Sequence, residues 1–295
     1  MNSPIFEGIA TALITPMTEN GVNYEQYGRL IDWQIEQGID AIVACGTTGE
    51  GSTLTDEEHK ECIRFAVERA AGRIPVIAGT GSNDTAYGTQ LTRYACEVGA
   101  DACLVVTPYY NKATQNGLVR MYGEYAAAST VPIIVYNVPS RTGVNIEPST
   151  YEKLAQIEHI AAIKEANSNI SKIVDTFARV GDKLDIYSGN DDQIVPLLAM
   201  GAKGCISVLS NVIPAETREI CTRFFAGDVA GAAELQCKYN ELVASLFCEV
   251  NPIPVKAAMA AMGFCDPIIR SPLFEMEPKN YERLLNAMRA QGLEV

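Results

Sequence analysis

The sequence predicts an α/β protein: a TIM (β/α)8 barrel with a C-terminal helical appendage. Three observations carry that prediction. Eight short β-rich runs recur over about 210 residues, each followed by a helical pattern. The runs show little polar alternation, as parallel strands covered on both faces do. No Gly-x-Gly-x-x-Gly turn follows a strand, which counts against the alternative, an open doubly wound sheet.

The predicted strands are Ile9 to Thr15, Ala41 to Cys45, Val76 to Gly79, Ala102 to Thr107, Ile133 to Asn137, Ile160 to Lys164, Asp185 to Ser188 and Gly204 to Val208. The helices between them carry start and stop signals. Thr55 with Glu58 forms a capping box at the head of Thr55 to Ala71. Ser168 precedes a helix over Ile170 to Val180, which Gly181 closes. Gly99 and Gly201 read as C-caps that return the chain to the sheet. Beyond the last strand the pattern is wholly helical: Pro214 to Ala226, Asp228 to Cys248, Pro252 to Met262 and Pro278 to Gln291. Asn251-Pro252 reads as an N-cap followed by proline at the first helical position. The expected division is a barrel over 1–225 and a helical region over 226–295.

Composition narrows the function. Of 295 residues 47% are hydrophobic, enough for a large core, and the net charge is −13. Nucleic acid and anionic membrane surfaces need a basic footprint, which this chain lacks. Nine cysteines without a CxxC pair read as reduced, buried small hydrophobes. Two histidines, His59 and His159, are too few and too scattered for a zinc site, so no metal or cofactor is expected. No secretory n-region and no apolar run of the ~18 residues that span a bilayer appear, so the expected location is the cytoplasm.

In such a barrel the chemistry sits at the C-terminal strand ends. The sixth run, Ile160 to Ile163, delivers Lys164 to its tip. Burial disfavours an ammonium, and the neutral amine is a nucleophile suited to Schiff-base chemistry on a carbonyl. The fifth run ends in Tyr136, which places an amine beside a proton relay. Taken alone, Lys164 reads better as a solvated strand-end charge; the surrounding pattern tips the balance to the nucleophile. The second tip, Gly46-Thr47-Thr48-Gly49-Glu50, offers hydroxyls and backbone N–H groups to a carboxylate. It equally suits an ordinary βα turn. Arg141, in Pro139-Ser140-Arg141-Thr142-Gly143, is shaped to grip a carboxylate bidentately. Tyr109-Tyr110 reads as rim packing, Asp191-Asp192 as an acidic helix start, and His59 as a helix-surface residue. Together the tips describe a lysine that condenses with a 2-keto acid, hydroxyls that hold its carboxylate, and an arginine for a second carboxylate.

These motifs resemble the dihydrodipicolinate synthase family of pyruvate-dependent Schiff-base aldolases, along essentially the whole chain. The resemblance rests on Gly46 to Glu50, Pro108 to Lys112, Tyr136 to Gly143, Ile163 to Glu165, Ser188 to Asp191 and Asn251 to Lys256. It implies that Lys164 forms the imine with pyruvate and that Tyr136, Thr47 and Tyr110 relay protons, with Tyr110 reaching into a neighbouring subunit. It implies that Thr48 holds the pyruvate carboxylate and Arg141 that of L-aspartate 4-semialdehyde. Gly189 and the backbone of Ile206 would line the pocket. The implied assembly is a homotetramer, a dimer of tight dimers. An allosteric lysine site is implied at Asn83, His59, Tyr109, Asp56 and Ser52. Tyr87 stands there where feedback-inhibited members carry a carboxylate, so weak or absent inhibition is expected. The alternatives are a sugar-acid aldolase or N-acetylneuraminate lyase on the same scaffold, and a non-catalytic carboxylate-binding barrel.

Overall fold

The computed structural model describes residues 3–295. Eight parallel strands close into a barrel: β1 (Gly8–Ala12), β2 (Ala41–Ala44), β3 (Val76–Gly79), β4 (Ala102–Val106), β5 (Ile133–Asn137), β6 (Ile160–Glu165), β7 (Asp185–Ser188) and β8 (Gly204–Ser207). Each strand pairs with its sequence neighbours, and β8 closes on β1 with Gly8 opposite Gly204 and Thr11 opposite Ser207. The first strand is shorter than predicted. After Ala12 the chain turns away, because the Asn211 side chain takes over the backbone, accepting from Ile14 N and donating to Ala12 O.

The strands are buried on both faces, which is why they read as apolar runs. Successive side chains alternate between the lumen and the helix layer. Ala10, Ala12, Val43, Ile77, Leu104, Ile134, Tyr136, Ala162, Tyr187 and Ile206 fill the lumen. Ile9, Ile42, Ala78, Val105, Val135 and Ile163 meet the helices. Below the mouth, Phe6 stacks on Tyr187 with ring centroids 4.2 Å apart.

The outer ring is α1 (Tyr24–Glu36), α2 (Asp56–Ala70), α3 (Thr85–Glu97), α4 (Gln115–Ala128), α5 (Pro148–Leu154), α6 (Ile170–Val180), α7 (Ile194–Ala199) and α8 (Pro214–Phe225). Side-chain caps define many of the starts. Thr55 and Glu58 form the predicted capping box on α2, while Asn23, Asp84 and Thr114 cap α1, α3 and α4. The cap of α6 is Asn169 rather than Ser168; its side chain accepts from Lys172 N. Gly99 and Gly201 turn the chain back at φ of 89° and 107°, as expected.

The C-terminal region holds α9 (Val229–Lys238), α10 (Asn240–Leu246), α11 (Ile253–Ala261) and α12 (Pro278–Ala290). The single helix expected over Asp228 to Cys248 is thus two, parted at Tyr239. Asn251 is not a cap, since α11 has no side-chain cap; the Asn251 amide is engaged by the barrel instead. Six cysteines are buried and all nine are free thiols, but Cys237 is exposed, on the solvent side of α9. Among the described residues no helix is long and apolar enough to cross a membrane.

Candidate active site

The register of β5 against β6 builds the centre of the site. Tyr136 lies opposite Lys164, and both point into the lumen at the C-terminal mouth. Lys164 is 6% exposed, and its Nζ lies 4.3 Å from the centroid of the Tyr136 ring. Among the described residues Lys164 takes part in no ion pair. Gly189, at the end of β7, leaves room for it. A Cβ there would sit 3.2 Å from Lys164 Cε and 2.8 Å from the Ala166 Cβ, while Gly189 N donates to Glu165 O at 2.7 Å. Ile206 is buried in the lumen on β8.

The turn after β2 is tight and self-bonded. Glu50 N donates to Thr47 O and Gly51 N to Gly46 O, each at 3.2 Å. Two of the backbone donors expected to greet an anion are therefore spent inside the turn, and the hydroxyls remain. Thr47 is exposed at the mouth. Thr48 is buried, and its Oγ1 accepts from Asn251 Nδ2 at 3.0 Å. Glu50 anchors the turn from below with a carboxylate 2.5 Å from Lys256 Nζ and 3.0 Å from Arg270 N. Arg141 stands on a one-turn helix, Pro139–Thr142, and its guanidinium donates to Asn251 O at 3.1 Å. One residue of the C-terminal region thus touches both groups expected to hold carboxylates.

A cavity of about 510 Å³ opens at this mouth, lined among others by Thr47, Tyr136, Arg141, Ser52, Asp56, His59 and Tyr109. The predicted catalytic residues Thr47 and Tyr136 and most of the predicted allosteric set therefore border one continuous space. Asn83 lies outside it and ties two rim loops, donating to Tyr109 O at 3.3 Å while its own carbonyl accepts from Asn111 Nδ2 at 2.9 Å. A second cavity of about 350 Å³ flanks the other side of the β6 tip, bordered by Ala166, Asn190, Asp191 and Phe247.

Two readings of single residues need correction, and a third is extended. His59 is not a helix-surface residue. The first turn of α2 presses against the end of β3, the imidazole is 5% exposed, and Nε2 lies 2.8 Å from Gly79 O. Burial holds its pKa below the usual histidine value. Asp191 and Asp192 do open a helical turn, the 3-10 helix Asp191–Gln193 that leads into α7, but Asp191 also has a second role. It is buried, and its carboxylate accepts from Val208 N and Leu209 N at 3.0 Å each, fixing the backbone beyond β8. Tyr110 does not pack on the rim of its own chain: it is 91% exposed, at φ 69°. The partners of Asn251, Lys256 and Glu165 were missed altogether. An Asn-Pro dipeptide and a lysine within an apolar helix are the local signals available for the first two.

A parallel barrel with its chemistry-bearing side chains at the strand ends defines the class, a (β/α)8 enzyme. The profile of the Dihydrodipicolinate synthetase family matches residues 5–291, and the chain belongs to that family. It is 51% identical to the 4-hydroxy-tetrahydrodipicolinate synthase of Acetivibrio thermocellus, over 99% of this chain and 100% of that protein. The crystal structure of dihydrodipicolinate synthase from Aquifex aeolicus superposes with a TM-score of 0.96 at 47% identity, covering 98% of this chain and 99% of that one. The chloride-inhibited enzyme from Acinetobacter baumannii, complexed with pyruvate, superposes with a TM-score of 0.94 at 43% identity, covering 97% and 99%.

Proposed function

We propose that this chain is a lyase of the class I aldolase type that condenses pyruvate with L-aspartate 4-semialdehyde to 4-hydroxy-tetrahydrodipicolinate. The observation that carries the reading is the buried Lys164 amine at the Tyr136 ring, at the mouth of a family barrel. The amine attacks C2 of pyruvate, and the carbonyl oxygen leaves as water, giving the imine. Tyr136 relays the proton lost from the methyl carbon, with Thr47 and Tyr110 completing the relay. The resulting enamine adds to the aldehyde carbon. The amino group of the semialdehyde then displaces Lys164, which closes the ring and frees the enzyme.

Thr48 holds the pyruvate carboxylate, Gly189 and the Ile206 backbone shape its pocket, and Arg141 holds the second carboxylate. Residues 1–225 carry the chemistry, and 226–295 brace it through Asn251. The Tyr110 side chain, exposed in one protomer, supports a subunit that receives it from a neighbour, as in a homotetramer built as a dimer of tight dimers. A stripe of exposed Ile170 and Val174 supports a further contact surface. The cytoplasm is the compartment of this reading. Ser52, Asp56, His59, Tyr109 and Asn83 make a weak lysine site, since Asp56 is the acid facing Tyr87; complete inhibition by low-millimolar lysine contradicts this.

The test is borohydride trapping with pyruvate, repeated after semialdehyde is added. The expected result is a pyruvate adduct that the semialdehyde discharges into the cyclised product. An adduct that it cannot discharge moves the reading to a sugar-acid aldolase, and pyruvate binding without any adduct to the non-catalytic barrel.

A further inference from the structure

We infer that Glu165 and Asn137 form a positioning clamp, on the outer wall of the barrel, that sets the geometry of Lys164 and Tyr136. The inference rests on the proposed imine chemistry. Register supplies the starting point. Tyr136 faces Lys164 across β5 and β6, and the next pair up is Asn137 facing Glu165. Because neighbours on a strand point to opposite faces, the reacting pair enters the lumen and the following pair enters the helix layer.

On that outer face an apolar residue is the ordinary choice, and Val135 and Ile163 follow it one step below. Glu165 breaks the rule while only 2% exposed. Its two carboxylate oxygens accept from Asn137 Nδ2 at 2.9 and 3.2 Å, and they also accept from Asn167 N at 2.8 Å and Tyr151 Oη at 3.2 Å. Asn137 in turn accepts from Ile146 N at 3.1 Å. Asn145 Oδ1 accepts from both Asn137 and Asn167, at 3.0 and 3.1 Å. The residues immediately after Lys164 and Tyr136 are therefore bonded to each other and to the loop that follows each strand. Any shear between the two strand ends must break this network.

The clamp is built for an ionised carboxylate. The groups around it offer protons, and the phenol of Tyr151 is the one that can also accept. Adding a proton to Glu165 removes its charge and one acceptor site, which weakens the bonds from Asn137, Asn167 and Tyr151. Burial raises this carboxyl to about 7. The groups facing it do not titrate in its place. Tyr151 on α5, with Tyr122 of α4 behind it, is held protonated by burial. The Glu147–Lys172 pair lies one step further out, reached through Asn145. Lys164, on the same strand, points the other way. Acidification through about 7 is thus expected to release the clamp and loosen the alignment of Lys164 with Tyr136.

Glu165→Gln keeps the shape and removes the charge. The expected outcome is a kcat roughly 10–100-fold lower, as small misplacements of reacting groups produce. The KM for pyruvate should stay within about 3-fold, and the acid limb of the wild-type kcat–pH profile should be absent. Asn137→Ser removes the clamp from the other strand and should give the same split. The double variant should be no slower than the worse single one, because both substitutions break one device. An unchanged acid limb in Glu165→Gln, an unchanged kcat in both single variants, or losses that multiply in the double variant each overturn the clamp. If Glu165→Gln fails to fold, Asn137→Ser decides by the same readouts. A wild-type protein that forms no pyruvate adduct defeats the proposed reaction itself; an adduct together with unaltered variants defeats only the clamp.

Discussion

Lys164 and Lys256 are both withdrawn from solvent, at 6% and 2% exposed, yet their surroundings are opposite. Lys256 sits on α11 with the Glu50 carboxylate at 2.5 Å and the Thr15 carbonyl at 2.7 Å. Its charge is matched, and the pair ties the C-terminal region to the turn after β2. Lys164 has no carboxylate partner of this kind and meets the face of an aromatic ring. The Lys256 amine is tied to two acceptors, whereas among the described residues the Lys164 amine is bonded to none and can reach a carbonyl. Burial alone does not distinguish a brace from a nucleophile. The partner set does.

The comparison breaks most sharply if Lys164 proves dispensable. Lys164→Ala is expected to lower kcat roughly 10⁴–10⁶-fold, as loss of a covalent nucleophile does, with no loss in thermal stability. Steady-state assays and a melting curve check both halves. Retained activity, or a large drop in melting temperature, would make Lys164 the brace.

Lys256→Met should do the reverse. It leaves Glu50 buried and uncompensated, which costs about 3–5 kcal/mol by denaturant titration. Combining it with Glu50→Leu should recover much of that loss. A single-variant cost below about 1 kcal/mol would show that the pair is not holding the two regions together.

The smallest effect sharpens the picture of the mouth. Arg141→Ala removes a charged hydrogen-bonding group and should cost about 1.5–3 kcal/mol in kcat/KM for the semialdehyde. Imine formation with pyruvate should be unaffected. Equal loss in both steps would mean that its bond to Asn251 O matters more than substrate binding.

The same contrast explains what could be read from the chain. Lys164 and Tyr136 were legible because strand alternation and an apolar run are local signals. So were the eight strands and the capping box on α2. The partners of Lys256 were not, since Glu50 and Thr15 lie more than 200 positions away in sequence. Asn251 misled for the same reason. Its Asn-Pro pattern suits a helix start, but its amide is used by Thr48 and its carbonyl by Arg141. His59 was misplaced because the acidic turn around it looks solvated, and only the packing of α2 on β3 shows that its ring faces inward. The break at Tyr239 has no glycine or proline to announce it.

The most direct test is to reduce the wild-type protein with borohydride in the presence of pyruvate and map the modified peptide by mass spectrometry. The account predicts one pyruvyl adduct per chain, on Lys164, with Lys256 unmodified. An adduct on any other lysine, or none, would contradict it.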